Sequence, residues 1–334
     1  MSLSSMLYAV AGAKLLLPYY HLVSDDAVPH VRQLYRYKTV ADFERDLDAL
    51  LRDFHPISLD ELLDAQLGSR GISRPSFHLS FDDGFSEMES IVAPILRRRG
   101  VPATFFVCSA FVDNRCLARD AKVSLLADAF AGAPKTERVE VWRILHASGL
   151  FENAAYDISP EQLARDLLAM TPESDSLLDE LQELLGLSFS AYLRERRPYL
   201  DSEALKNLHA QGFSIGAHSV DHPRYDCLSY QDQLRQTYES LSFLGVLLGL
   251  RYRAFAFPYS DRGVSERFLL ETKNSGLLDL SFGTGGMTRS PVAWHFQRLS
   301  FEKPPIAAER ILRSATLRSI AKRVLKAGQA VKGI

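Results

Sequence analysis

Short apolar runs alternate with amphipathic stretches over much of this chain. Residues 14–21 form a mostly apolar run and predict a first strand. Residues 40–54 carry Phe43, Leu47, Leu50 and Leu51 at helical spacing. Residues 58–67 open like a capped helix, because Ser58 stands three positions before Glu61. Residues 77–81 predict a strand that runs straight into Asp82-Asp83-Gly84, residues 90–99 a helix that stops at Gly100, and Ala103–Val107 the next strand. Strand, helix and strand in this order predict a parallel α/β arrangement. Its polar cluster lies at the carboxyl end of a strand, where such sheets build their ligand sites.

From residue 113 the strand signals stop and helical stretches take over, at 160–170 and 174–185. The alternation resumes with a helix at 202–211, a strand at 213–217 ending at His218, a helix at 230–250 and a strand at 254–258 ending at Tyr259. Four segments follow from this. Residues 1–112 are the first part of a barrel, 113–200 a helical insertion carried on one loop, 201–305 the second part of the barrel, and 306–334 a basic C-terminal helix.

At 334 residues with 46% hydrophobic content the chain can bury a large core. A formal net charge of -2 gives nucleic acid no electrostatic reason to bind. Cys108, Cys116 and Cys227 are odd in number and lack paired spacing, which fits a reducing compartment. The apolar stretch before His21 has no basic residues ahead of it and is interrupted by Lys14, so it reads as the approach to a strand and not as a secretion signal. The expectation is a cytoplasmic protein.

Two adjacent carboxylates, Asp82 and Asp83, repel one another, so such a pair usually shares a proton or binds a cation. A surface Asp-Asp-Gly turn is the plain alternative. The second cluster is His218-Ser219-Val220-Asp221-His222, also after a predicted strand. Two imidazoles four residues apart can face one side of a helical turn, the spacing of zinc hydrolases. Nine histidines also allow such a pair by chance. Taken together the clusters say more than either alone, because parallel strands bring both to one rim. One carboxylate and two imidazoles then make a three-ligand site with open positions, and the spare carboxylate becomes a general base for water.

LSFDDGF followed by PATFFV, and later IGAHSVDHP, resemble the first two motifs of the polysaccharide deacetylase family, the NodB-homology group or carbohydrate esterase family 4. The resemblance implies a distorted (β/α) barrel, here with a helical insertion, that removes acetyl groups from sugars. It matches Asp82 to the catalytic base, and Asp83, His218 and His222 to the metal ligands. LLLPYYHLVSD resembles a circularly permuted branch in which the strand bearing the general acid comes first, which makes His21 the acid and leaves His295 as reserve. In FAFPYSDRG, Pro258 and Tyr259 match the third motif, and the Tyr259 backbone N–H takes the role of oxyanion donor. The Arg that normally orients the base is replaced by Ala256, with Arg298 or Arg262 as substitutes from elsewhere. The Asp and Trp pair of the fourth motif has no counterpart.

The expected activity is metal-dependent hydrolysis of N-acetyl groups on an amino-sugar polysaccharide or a lipid-linked glycan. The expected ion is one divalent metal, zinc by default, with cobalt or nickel next. An O-deacetylase at the same site and a catalytically inactive glycan-binding barrel are the alternatives. An iron oxygenase uses similar ligands, but on a β-sandwich. Asn114, Arg115, Arg119 and Lys122 are candidates for substrate hydroxyls or phosphate, and Trp142 and Trp294 for sugar stacking, each weighed against a structural role. The tail carries Arg310, Arg313, Arg318, Lys322, Arg323, Lys326 and Lys332 against one acid, Glu309. It predicts either peripheral contact with the inner membrane surface or a helix packed on the barrel.

Overall fold

Eight short strands, all paired in parallel, organise the larger part of the chain. They are β1 (Pro18–Tyr20), β2 (Leu79–Phe81), β3 (Ala103–Val107), β4 (Ser214–Ala217), β5 (Ala254–Ala256), β6 (Leu280–Gly283), β7 (His295–Gln297) and β8 (Leu299–Ser300). The computed structural model describes residues 14–69, 71–149, 158–170, 175–288, 290, 292–303 and 305–332, with side chains of the last helix described as far as Ala321. The strand order is β7-β6-β5-β4-β3-β2-β1-β8. Only Arg298 separates β7 from β8. Its N–H bonds Gly283 O at 3.1 Å, while the Leu299 N–H bonds Leu17 O at 2.8 Å. One continuous stretch therefore pairs with β6 in its first half and with β1 in its second, which closes the sheet on itself. The fold is a distorted (β/α) barrel.

The sequence dictates this layering. Strands covered on both faces need near-continuous apolar runs, and β3 (ATFFV) is buried at every position. Along β2 and β3 side chains alternate. Leu79, Phe81, Phe105 and Val107 join the core beneath the outer helices, whereas Phe106 packs with Ala254, Ala256, Leu280 and Phe282 in a second cluster. The bore has polar members as well, including Ser80, Thr104 and Arg298, all 1% exposed or less.

Two expected strands are each split. Leu15–Leu16 and Ser76–Phe77 pair in a small parallel sheet with His55–Pro56, and their chains then pass into β1 and β2. At the second break His78 turns its imidazole to Ile57 O and Thr104 Oγ1, both at 2.9 Å. Helix α1 (Val40–Asp53) is capped by Thr39, and α2 (Leu59–Gln66) by the Ser58–Glu61 capping box. The helix expected at 90–99 is instead a π-turn at Met88–Val92 leading into α3 (Ala93–Arg99). Pro94 has no N–H for the Ser90 carbonyl, so the first turn widens.

A second compact unit consists of residues 24–37 and 114–198. Its helices are α4 (Arg119–Gly132), α5 (Lys135–Ala147), α6 (Pro160–Ala169), α7 (Ser176–Leu184) and α8 (Phe189–Arg196). Val123, Leu126, Phe130, Leu145, Leu163, Leu167, Leu178 and Leu181 form their buried faces. The 24–37 segment is tied to α4 by Ser124 Oγ donating to Pro29 O at 2.7 Å and by the Arg32–Asp128 ion pair.

The barrel unit continues with α9 (Ser202–Ala210), α10 (Tyr230–Leu248), α11 (Glu266–Asn274) and α12 (Ala308–Lys332). The start of α12 belongs to the barrel core through Ala308, Ile311, Leu312 and Ala315. Asp46 of α1 fixes that junction. It accepts from Ala308 N at 2.8 Å and pairs with the buried Lys38 at 2.8 Å, and Lys38 also donates to Ile306 O at 2.7 Å. Farther along, Arg310, Arg313, Leu317 and Arg318 are exposed. No helix among the described residues is long and apolar enough to cross a membrane.

Candidate functional site

The chemistry-bearing side chains gather at the carboxyl ends of the barrel strands, the rim where parallel barrels place their sites. Asp82 follows β2 and stays on the ladder, its N–H bonding Tyr20 O at 3.0 Å. His218 follows β4 and its N–H bonds Val107 O at 2.9 Å. Beyond these points the backbone turns sharply. Asp83 (φ 73°), Ser219 (φ 72°), His222 (φ 62°) and Tyr259 (φ 53°) all occupy the left-handed region. Side-chain-bearing residues pay strain there, and such strain concentrates at functional sites. Gly84 follows Asp83, and a Cβ on it would stand 3.0 Å from Val107 Cγ1, so the turn passes close over β3.

The two histidines do not share a helical turn, as their spacing suggests. Residues 218–222 form a loop with left-handed positions at both Ser219 and His222. This loop is pinned by Ser109 N to Ser219 O (3.1 Å), Ala110 N to Val220 O (2.8 Å), Val220 N to Gln236 Oε1 (2.8 Å) and His222 N to Ser219 Oγ (3.0 Å). Backbone bonds from the β3 loop and a side chain of α10 thus bring the imidazoles together, with ring centroids 5.1 Å apart.

Asp83 Oδ1 lies 3.5 Å from His218 Nε2 and 3.3 Å from His222 Nε2, and the three ligand atoms are within 4.8 Å of one another. Asp83 Oδ1 is buried without a hydrogen-bond partner. His218 directs its other nitrogen, Nδ1, to Ala256 O at 2.7 Å, which makes Nδ1 the donor and leaves the Nε2 lone pair facing Asp83. Burial raises the Asp83 pKa, but His222, His218 and His21 together hold it far below the usual carboxylate range. A carboxylate oxygen without a donor, converging with two imidazole nitrogens, fits a divalent cation. The donor set of two nitrogens and one oxygen is one zinc accepts.

Asp82 points the other way, into the bore, on the same side as Ser80. There the buried Arg298 grips it with two bonds, Nη1 to Oδ1 at 2.6 Å and Nη2 to Oδ2 at 2.8 Å, and reaches Ser80 Oγ at 3.1 Å. The rings of Tyr19 and Phe106 lie 4.6 and 5.3 Å from the guanidinium. Burial pushes the Asp82 carboxyl up, but Arg298 foremost, with His218 and His21, outweighs this and holds it below the usual carboxylate range. Arg298 thus stands where the absent motif Arg would be needed. Arg262 is exposed, and its backbone N–H bonds Ser260 Oγ.

His21, after β1, pairs through Nδ1 with Glu302 Oε2 at 2.5 Å. Glu302 also accepts from the backbone N–H of His21 (3.2 Å) and of Leu22 (2.8 Å). Burial lowers the His21 pKa, but Glu302 foremost, then Asp83 and Asp82, outweigh it and raise it to about 9. At neutral pH His21 is therefore a charged donor. Glu302 carries no motif of its own, and its partner lies 281 residues away, so no local signal in the sequence marks it. The reserve acid His295 has both nitrogens engaged, Nδ1 with Ser281 Oγ and Nε2 with Asp261 Oδ2, each at 2.9 Å, and is 3% exposed. Its burial and its bonds remove it as a proton donor to substrate.

Tyr259 follows β5 with its ring centroid 4.6 Å from that of His222. Trp294 packs against both core clusters, which argues for structure over sugar stacking. Within the second unit, Arg119 is consumed by Asp175 (2.7 Å) and Leu167 O (3.0 Å), and Lys122 lies 5.6 Å from the Phe189 ring centroid. Trp142 sits against His146, one turn along α5. Asn114 takes a left-handed φ of 56°.

The family model described as polysaccharide deacetylase matches residues 70–278. That span holds Asp82, Asp83, His218, His222 and Tyr259, and leaves His21, Arg298 and Glu302 outside. No curated protein sequence matches the chain. Among solved structures, the Streptococcus pyogenes deacetylase PplD in complex with acetate superposes with a TM-score of 0.58 at 15% identity, over 91% of this chain and 98% of that one. IcaB from Ammonifex degensii gives 0.55 at 17% identity, over 90% and 95%. A de-N-acetylase from Aggregatibacter actinomycetemcomitans gives 0.52 at 14% identity, over 89% and 99%. At these identities the likeness is one of fold.

Proposed function

Because the chain belongs to the polysaccharide deacetylase family, we propose that it is a metal-dependent hydrolase that removes N-acetyl groups from an amino-sugar polysaccharide or a lipid-linked glycan. The observation that carries this reading is the division of labour at Asp82-Asp83. Asp82 is locked on Arg298, while Asp83 converges with His218 and His222 on a shared point.

A divalent ion held by Asp83, His218 and His222, zinc by default, would supply Lewis acidity to the acetamide carbonyl and to the attacking water. Asp82 accepts the proton of that water as its oxygen bonds the carbonyl carbon. Arg298 keeps the carboxylate ionised and fixes its direction. The backbone N–H of Tyr259 donates to the developing oxyanion. His21 delivers its proton to the sugar nitrogen as the C–N bond breaks, and acetate and a free amine leave. Glu302 holds the imidazolium ready for that step.

The His21–Glu302 pair favours N- over O-deacetylation, because an amine leaves only once protonated whereas an alkoxide needs less help. The missing motif Arg points to a binding-only barrel, and Arg298 on Asp82 weakens that alternative. A peripheral position at the cytoplasmic face of a membrane is part of the same reading, supported by the exposed Arg310, Arg313, Leu317 and Arg318 of α12.

The test is acetate release, with parallel detection of free amine, from a panel of acetylated chito-oligosaccharides. Wild type, Asp82→Asn and a chelated sample restored with zinc or cobalt are compared. Metal-dependent release of both products, abolished in Asp82→Asn, is expected. Glycan binding with no acetate released at full metal occupancy would overturn the enzyme reading.

A further inference from the structure

The loop after β5 is held by side chains of β7. Asp261 Oδ2 accepts from Gln297 Nε2 at 2.6 Å and pairs with His295 Nε2 at 2.9 Å, and His295 Nδ1 meets Ser281 Oγ at 2.9 Å. Burial pushes the Asp261 carboxyl up, but the bonds from His295 and Gln297 outweigh this and hold it at about 2. An ionised Asp261 can only accept, so at 2.9 Å His295 Nε2 is its donor. Ser281, His295 and Asp261 have the residue types of a nucleophilic triad, yet Ser281 is 0% exposed and no substrate reaches it. The array is mechanical.

What it grips is the segment that carries Tyr259. The Val264 N–H bonds Asp261 O at 3.2 Å, and Thr284 Oγ1 donates to Tyr259 O at 3.0 Å. Tyr259 has a φ of 53°, a conformation an L-residue keeps only where its surroundings hold it. The fit leaves no slack, since a Cβ on Gly283 would stand 2.5 Å from Asp261 Cγ.

We propose that Asp261 is a positioning residue for the deacetylation. Clamped between His295, Gln297 and the bare backbone of Gly283, it sets the left-handed turn that aims the Tyr259 N–H at the oxyanion. This rests on the deacetylase reading of the rim, in which that N–H acts.

The clamp can be loosened by two independent routes, deleting the carboxylate (Asp261→Ala) and crowding it (Gly283→Ala). Each is expected to lower kcat roughly 10- to 100-fold, as small misplacements of a catalytic group do. KM should stay within about threefold and zinc affinity, by titration calorimetry, close to wild type, since neither change touches a ligand. Asp261→Asn keeps the shape and one acceptor, and recovers part of kcat. Unchanged kcat in Asp261→Ala, or kcat and zinc affinity falling together, would overturn the proposal. If wild type binds glycan at full metal occupancy yet releases no acetate, the deacetylase reading fails, and the clamp is then read by amide hydrogen exchange. Faster exchange of residues 258–263 in both alanine variants supports it, and wild-type rates overturn it.

Discussion

Arg298 and Asp82 meet by two parallel hydrogen bonds, 2.6 and 2.8 Å long, across 216 residues of sequence and inside the closed barrel. The planar guanidinium matches both carboxylate oxygens, which a lysine cannot do. Arg298→Lys should therefore keep the charge but lose the direction of the base, lowering kcat roughly 100-fold with little change in KM. Arg298→Met should be worse in both respects. It leaves a buried carboxylate without its partner, a loss of about 3–5 kcal/mol. Steady-state kinetics and urea melts of the two variants check this, and a fully active Arg298→Met would remove Arg298 from the mechanism.

The orphan oxygen of Asp83 predicts a simple binding result. Asp83→Asn, His218→Gln and His222→Gln each remove one of three donors, so each should lower metal affinity by at least 10- to 100-fold. Metal content after dialysis, measured by mass spectrometry, is expected near one ion per chain in wild type and near zero in the variants. Asp82→Asn should retain its ion while losing activity. The contrast between neighbouring carboxylates is the informative part. Equal metal loss in Asp82→Asn and Asp83→Asn would mean that the two oxygens act as one site.

The sequence showed the parts of the rim that a local signal can carry. Asp82-Asp83-Gly84 and the 218–222 cluster stand directly after apolar runs, and the structure has β2 and β4 in those places. Helix signals with caps, such as Ser58 with Glu61, also appear as expected. What was hidden depends on closure of the barrel. Glu302 meets His21 and Arg298 meets Asp82 only because β7 and β8 join the two ends of the sheet, and no periodicity encodes such a meeting. The helical face expected for His218 and His222 failed for a related reason. Their approach is set by hydrogen bonds from Ser109, Ala110 and Gln236, which lie on other elements.

His21 titrates in a range that kinetics can follow. Glu302 and the two aspartates raise it to about 9, above the ordinary imidazole value near 6.5. A general acid must be protonated, so kcat should hold level towards pH 9 and fall above it. A cation at Asp83 offsets part of that carboxylate's pull and can only move the limb downward. Glu302→Gln removes the strongest of these pulls and leaves burial opposing the charge, so it should move the limb further down. Stability follows the same sign. A raised folded-state value stabilises fully below about pH 6.5, and that contribution is lost as pH rises through about 9. Wild-type melting temperature should therefore decline towards alkaline pH more steeply than that of Glu302→Gln. An alkaline limb unmoved by Glu302→Gln would assign the titration to another group.

The C-terminal helix divides the charge of the chain unevenly. Residues 306–334 contain seven basic residues and one acid, a net of +6 in a chain of -2, so residues 1–305 carry -8. Ile311, Leu312 and Ala315 face the barrel core, and Arg310, Arg313, Leu317 and Arg318 are exposed. A cationic side with an exposed leucine suits an anionic lipid surface, and like charge opposes pairing with a second copy. Wild type should float with vesicles containing phosphatidylglycerol at low salt and detach as salt screens the attraction. At about 1 kcal/mol for each basic residue, neutralising Arg310, Arg313 and Arg318 to Gln should weaken partitioning roughly 100-fold. Acetate release from a soluble oligosaccharide should be unaffected, because none of the three touches the rim. Equal flotation with phosphatidylcholine vesicles, or none with either, would leave this helix as packing for the barrel alone.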